Sequence, residues 1–247
     1  MTGATTLRAL HHGRAPGDPL VLPGPWDAAT ARVFAAAGFP ALATPSAGIA
    51  ASLGYRDGET PDDEMFAAVA RVARAVDVPV TADIEDGYGL GPAEIVDRLL
   101  EAGAAGCNLE DGDRAADVLK DARRHADWLA EVRAAAGERL VINARVDVFV
   151  RGGAGADPDR LAEEAIDRGR RYVAAGADCV YPIFAPPRLL PRLAAGIGAP
   201  LNAFAKPDGP SVRELGELGA TRVTFGPGHL RQALAAVEDI AEQLRQA

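Results

Sequence analysis

Four glycines in matching local contexts constrain this chain more than any other feature. Ala37-Gly38-Phe39, Ala102-Gly103-Ala104, Ala175-Gly176-Ala177 and Leu218-Gly219-Ala220 each close a stretch of helical character and each precede a short apolar run. A glycine there supplies the left-handed residue that ends a helix and turns the chain back. Around these stops the segments alternate. Apolar runs at 20–22, 41–44, 78–83, 105–110, 140–146, 178–183, 200–204 and 222–225 read as strands. Stretches at 26–37, 61–76, 92–102, 115–136, 157–175, 187–195, 212–218 and 229–246 read as helices. In the second of these Pro61 sits in the first turn, behind Thr60 as the expected cap, with acids clustered at the start. Strict alternation implies a parallel α/β sheet, and eight units imply closure into a single (β/α)₈ TIM-type barrel. An open doubly wound sheet is the competitor, but no Gly-x-Gly-x-x-Gly follows the first strand. The barrel is read as one domain over 1–247, with a polar lead-in at 1–19 that carries one short helix around 5–11.

Composition narrows the function. With 247 residues and 48% hydrophobic side chains the chain can bury a full core. A formal charge of −9 argues against nucleic acid and anionic membranes as partners. No apolar run approaches the roughly 20 residues of a membrane span. Residues 1–19 lack the apolar core of a signal peptide. Cys107 and Cys179 lie in apolar runs with no Cys-x-x-Cys spacing, as in a reduced protein. A cytoplasmic location is therefore expected.

The polar residues collect where barrel chemistry sits, at the C-terminal ends of the strands. Those ends read Thr44 and Ser46, Asp83 and Glu85, Asn108 and Glu110, Asn143 and Arg145, Tyr181, Asn202, then Thr224 and Gly226. Members of each pair are two apart, so alternation turns both inward. Asp83 and Glu85 lie in the acidic stretch Thr81-Ala82-Asp83-Ile84-Glu85-Asp86-Gly87-Tyr88-Gly89. Neighbouring acids repel unless a cation or a shared proton relieves them, and hard oxygens suit Mg²⁺, or Mn²⁺ in its place. Arg145, flanked by apolar residues, suits a bidentate grip on a carboxylate or phosphonate. Asn143 and Asn202 read either as substrate contacts or as orienting hydrogen bonds within the barrel. The loop Pro45-Ser46-Ala47-Gly48 reads as a turn whose amides admit an anion, or as a plain turn. Phe225-Gly226-Pro227-Gly228 reads as an ordinary helix entry. His11, His12, His125 and His229 share no metal-ligand spacing, and His125 and Lys120 are expected in solvent on the charged helix at 115–136.

These motifs, taken in order, resemble the isocitrate lyase / phosphoenolpyruvate mutase superfamily. The likeness rests on Trp26-Asp27-Ala28, the 44–48 loop, Leu53-Gly54-Tyr55-Arg56-Asp57-Gly58-Glu59, the 81–89 stretch, Asn108-Leu109-Glu110-Asp111 and Ile142-Asn143-Ala144-Arg145, and runs from about 20 to 235. It implies a (β/α)₈ barrel, bound Mg²⁺, and making or breaking of C–C or P–C bonds through a pyruvate-enolate-like species. By resemblance Asp83 ligates the metal, while Asp57, Glu85 and Glu110 hold its waters. The backbone of Ser46, Ala47 and Gly48 would hold the substrate carboxylate. Arg145 would grip the other anionic end, with Trp26, Asn143 and Asn202 also at the substrate.

The chain departs from this pattern in one loop. Lyases of the family carry a Lys-Lys-Cys-Gly-His-type loop after strand four, and the mutases a Lys-x-Asn-Ser version. Here Glu110 leads into Asp111-Gly112-Asp113-Arg114-Ala115. Cys107, of opposite parity to Glu110, points away from the axis and is no substitute. Glu85 stands where many relatives have Asp. The last predicted helix reaches 246, so exchange of further C-terminal helices is not expected, although a homo-oligomer is. The leading expectation is a Mg²⁺-dependent lyase or decarboxylase acting on a small 2-oxo or 2-hydroxy dicarboxylate. Catalysis is assigned to Arg145 and Glu110, with Tyr55 or a metal-bound water supplying a proton. Two alternatives stand beside it: P–C bond chemistry on a phosphonopyruvate-like substrate, and an organic-acid-binding barrel without turnover.

Overall fold

The computed structural model describes residues 2–246 apart from Ala115 and Ala154. It opens with α1 (Gly3–Leu10), started by the Thr2 hydroxyl accepting from the Thr5 amide. The chain then runs β1 (Leu20–Val21), α2 (Ala28–Ala36), β2 (Leu42–Thr44), α3 (Ser46–Leu53), α4 (Asp62–Ala73), β3 (Val80–Asp83), α5 (Pro92–Glu101) and β4 (Gly106–Glu110). A hairpin of β5 (Gly112–Asp113) and β6 (Val118–Leu119) follows, then α6 (Ala122–Ala136), β7 (Val141–Val146), α7 (Val148–Arg151) and α8 (Pro158–Ala174). The remainder is β8 (Cys179–Pro182), α9 (Leu190–Ile197), β9 (Asn202–Phe204), α10 (Val212–Glu217), β10 (Arg222–Thr224) and α11 (Gly228–Gln246).

Eight parallel strands form two arcs, β2-β3-β4-β7-β8 and β1-β10-β9. Hydrogen bonds join both seams. The Val180 amide donates to Pro200 O at 2.9 Å beside a parallel bridge to Leu201, and the Ala43 amide donates to Pro23 O at 3.1 Å. The barrel expected from the alternation is the fold observed. The glycines after α2, α5, α8 and α10, at 38, 103, 176 and 219, all have positive φ, as the helix-stop reading requires.

The polar lead-in does more than lead in. Leu7 of α1 is fully buried against Leu20, Leu22, Ala41, Ala43, Ala105 and Val141, so α1 plugs the N-terminal mouth of the barrel. Burying that one leucine contributes about 2 kcal/mol. Arg8 fastens the plug by donating to Asp178 at 2.8 Å. The opposite mouth is left for chemistry.

Several local expectations are corrected. The helix expected over 115–136 starts at Ala122, where Asp121 accepts from the amides of Arg123 and Arg124; Ala115 lies outside the described residues. Gly112–Asp113 and Val118–Leu119 pair instead as the antiparallel β5–β6 hairpin. Thr60 does not cap α4: Pro61 holds the cap position, and the Thr60 hydroxyl is buried without a partner. His125 is buried rather than solvated, stacked on Trp128 and edge-on to Tyr172. Lys120 precedes α6 and pairs with Asp86 at 3.2 Å.

Candidate active site

The strand ends open into one cavity of about 900 Å³, whose walls include Thr44, Ser46, Ala47, Asp57, Asp83, Asn108, Glu110, Arg114, Arg145, Tyr181 and Thr224. Strand register explains the convergence. Asp83, Asn108 and Asn143 are neighbours across β3, β4 and β7, while Glu110, Arg145 and Tyr181 are neighbours one row higher across β4, β7 and β8. The parallel register of these strands thus sets four acidic or amide groups and one arginine on adjoining levels.

The 44–48 loop is not a turn. Ser46 opens α3, and Pro45 at its cap makes no side-chain hydrogen bond. The first helical bond runs from Ile49 N to Pro45 O, so the amides of Ser46, Ala47 and Gly48 have no partner within the helix. Free amides and the helix dipole favour an anion at that end. Gly48 permits the tight entry, since a Cβ there would lie 2.8 Å from Pro45 Cγ. The Ser46 hydroxyl donates to Asp83 Oδ2 at 3.0 Å and so ties the helix start to the acidic strand end.

Glu85 is not placed by alternation. β3 ends at Asp83, and Glu85 takes a left-handed φ of 57° in the following turn. Its carboxylate is buried, with Oε1 lacking any hydrogen-bond partner. Burial pushes its pKa up to about 8, against the pull of Arg114. Glu110 lies between two guanidinium groups, with Arg145 Nη1 at 2.6 Å and Arg114 Nε at 2.8 Å.

Arg145 is buried as expected, but its bidentate edge is already taken. Nε and Nη2 donate to the two oxygens of Asp147 at 2.6 and 3.0 Å. Burial opposes the arginine's charge, yet Glu110 and Asp147 outweigh it and hold the group more firmly protonated than usual. Asp147 is held in turn: its amide donates to Asp111 Oδ1 at 2.8 Å, and Asp111 Oδ2 accepts from Tyr172 at 2.7 Å and Arg168 at 3.1 Å. The sequence reading missed Asp147 and Asp111. Asp147 continues the inward parity of Asn143 and Arg145, which was the available signal. Asp111 directly follows Glu110 and carried none.

Asn143 and Asn202 lie beneath the cavity. Asn143 Nδ2 donates to Asn108 Oδ1 at 2.8 Å, and Asn202 Nδ2 donates to Thr224 Oγ1 at 2.9 Å, which makes them orienting groups in the floor. Trp26 is half-buried against the core, beside Gly48 rather than on the cavity wall. Tyr55 is not brought to the site, because its hydroxyl donates to Glu64 at 2.7 Å. Cys107 points into the apolar core, where burial pushes its thiol up to about 12, and it takes no part.

Among the described residues no three His, Cys, Asp or Glu side chains converge closely enough to chelate an ion directly. The donor set nonetheless fits a hydrated divalent cation. Mg²⁺ keeps several waters and takes one or two carboxylates directly. Asp83 opens to the cavity, and Glu85 offers a buried oxygen with no partner.

Comparison with known proteins follows the same outline. The phosphoenolpyruvate phosphomutase family profile matches residues 7–245. An uncharacterized protein of Mycobacterium tuberculosis is 36% identical over 218 residues, covering 88% of this chain and 80% of its own. The Corynebacterium glutamicum protein named "Probable 2-methylisocitrate lyase 2" is 30% identical over 250 residues, covering 94% and 78%. Among solved structures, 2,3-dimethylmalate lyase, a phosphoenolpyruvate mutase/isocitrate lyase superfamily member, superposes with a TM-score of 0.85 at 28% identity, covering all of this chain and 88% of that one.

Proposed function

Because the chain belongs to the phosphoenolpyruvate mutase/isocitrate lyase superfamily, we propose that it is a Mg²⁺-dependent lyase or decarboxylase that cleaves a C–C bond of a small 2-oxo or 2-hydroxy dicarboxylate. One observation carries this reading. The open amides of α3, the carboxylate of Asp83 and the guanidinium of Arg145 face one cavity. A carboxylate, a carbonyl oxygen and a second anionic end would each find a complementary group there.

The roles follow from the geometry. The amides of Ser46, Ala47 and Gly48 bind the carboxylate next to the carbonyl without reorganising as charge moves. Asp83, steadied by the Ser46 hydroxyl, is the direct metal ligand, with Asp57, Glu85 and Glu110 around its waters. A divalent cation there would stabilise the enolate charge that develops when the adjacent bond breaks, a contribution of several kcal/mol. With three donors committed to Asp147 and Glu110, Arg145 offers its remaining N–H groups to the distal anion. No cysteine and no Tyr55 hydroxyl stands at the cavity wall. That favours a cleavage needing little proton transfer, such as decarboxylation or retro-aldol release of pyruvate. The same reading has the chain assembling as a homo-oligomer, because Leu234, Val237, Ile240 and Leu244 leave an exposed apolar stripe on α11.

The test is 2-oxo acid release from oxaloacetate, 2-methylisocitrate, isocitrate, 2,3-dimethylmalate and phosphonopyruvate, each offered with Mg²⁺. Turnover of a carbon acid is the expected result. Pyruvate from phosphonopyruvate alone would move the protein to P–C chemistry, and silence throughout would leave a binding protein.

A further inference from the structure

The acids that would surround a hydrated cation already share another cation. Arg114 sits on the turn between β5 and β6 and reaches back across the cavity rim. Its Nε lies 2.8 Å from Glu110 Oε1 and 3.5 Å from Glu85 Oε2, and its Nη1 lies 3.6 Å from Asp57 Oδ1. These three carboxylates come from three separate places: the end of β4, the turn after β3 and the loop after α3. Gly58, at a φ of +86°, leaves room for the guanidinium, since a Cβ there would collide with Nη1. Glu85 and Glu110 are each only 1% exposed, and buried carboxylates of that kind are costly without a positive partner. Burial works against the charge of Arg114 as well, yet Glu110, Glu85 and Asp57 outweigh it and hold the group firmly protonated.

We infer that Arg114 is a tethered cation competing with the divalent ion for Asp57, Glu85 and Glu110, so that docking of the β5–β6 turn sets the metal affinity of the site. This rests on the reading of Asp83 as the metal ligand. A hydrated ion at Asp83 needs the oxygens around it for its waters, and those three carboxylates are now paired with Arg114. Two cations sharing the same carboxylates in a partly buried site repel, so the ion enters at the expense of the Arg114 contacts. The coupling is reciprocal: what loosens the turn tightens the metal, and the metal loosens the turn. Arg114 is thus a positioning residue for the site and makes no contact with substrate in this account.

The experiment is calorimetric titration of Mn²⁺ into the substrate-free protein, comparing wild type, Arg114→Gln, Arg114→Lys and Asp83→Ala. Arg114→Gln is expected to bind Mn²⁺ about tenfold more tightly than wild type, with Arg114→Lys closer to wild type and Asp83→Ala without binding. Amide hydrogen exchange across residues 112–119 is expected to quicken when Mn²⁺ is added to wild type and to be quick already in Arg114→Gln. Equal or weaker binding by Arg114→Gln, with Asp83→Ala still abolishing it, overturns the inference and leaves the metal site standing. Absence of binding in wild type and Arg114→Gln alike overturns both.

Discussion

Asp147 fixes Arg145 from one side through two hydrogen bonds and is itself fixed by Asp111, so the orientation of the guanidinium proposed to take the distal anion depends on these two carboxylates. Asp147→Asn keeps the shape and loses the charge. It should lower kcat/KM by about a hundredfold through misplacement of the arginine, as steady-state kinetics would show; a change within twofold would remove Asp147 from this role. A second residue-scale prediction concerns His125. Burial, with Lys120 and Arg168 nearby, lowers its pKa from 6.5 to about 3. The folded protein therefore binds fewer protons than the unfolded chain below pH 6.5, and stability is lost as pH falls from 6.5 towards 3. At pH 5 the loss from this one group is about 2 kcal/mol. His125→Phe, which keeps the aromatic stack, should flatten the denaturation profile between pH 6.5 and 4; an unchanged slope would contradict the assignment. Much at this scale was readable in the chain, because two-residue parity along a strand marks inward positions such as Asp83, Glu110 and Arg145. Parity ends with the strand, which is why Glu85 reaches its place by a left-handed turn and why Tyr55, outside any strand, was misplaced.

All eight strands were legible from apolar periodicity, and before β2, β4, β8 and β10 a glycine stop agreed with it. Two places failed, in opposite directions. Residues 46–53 are small and apolar and resemble a loop, yet they form α3, and this turns a plain turn into a helix end with three open amides. The stretch from 115 was expected to begin a helix, yet Gly112–Asp113 pairs with Val118–Leu119 as a hairpin, with the Lys120 amide donating to Asp111 O at 2.8 Å. Asp121 then starts α6 seven residues later than expected. Asp121→Ala should cost about 1 kcal/mol in urea denaturation, and no change would deny it the cap. Gly106 tests the packing between elements. A Cβ there would lie 2.6 Å from Val141 O and 3.1 Å from Leu7 Cδ2, where β4, β7 and the α1 plug meet. Gly106→Ala should destabilise by about 1–3 kcal/mol on the same assay, and a neutral result would show that the plug yields easily.

At the scale of the whole molecule, the barrel divides its labour between its ends. The N-terminal mouth is closed by apolar packing around Leu7, and the C-terminal mouth keeps charge around a cavity. Among the described residues no helix is long and apolar enough to cross a membrane. The stripe of Leu234, Val237, Ile240 and Leu244 on α11 predicts self-association: light scattering should give a mass that is a multiple of the 25.6 kDa chain, reduced by Val237→Glu with Ile240→Glu. A monomeric wild type would contradict it. Substrate identity was not legible in the sequence, since it depends on loops whose shape only the fold sets, Phe184 and Lys206 beyond the rim among them. On the proposed function, a cation at Asp83 carries the chemistry. It is tested most directly by following 2-oxo acid release from the accepted substrate with Mg²⁺, then with a chelator, in wild type and Asp83→Ala. Wild type should turn over only with metal, and a folded Asp83→Ala should be silent in both conditions; release that survives the chelator or the substitution would contradict the account.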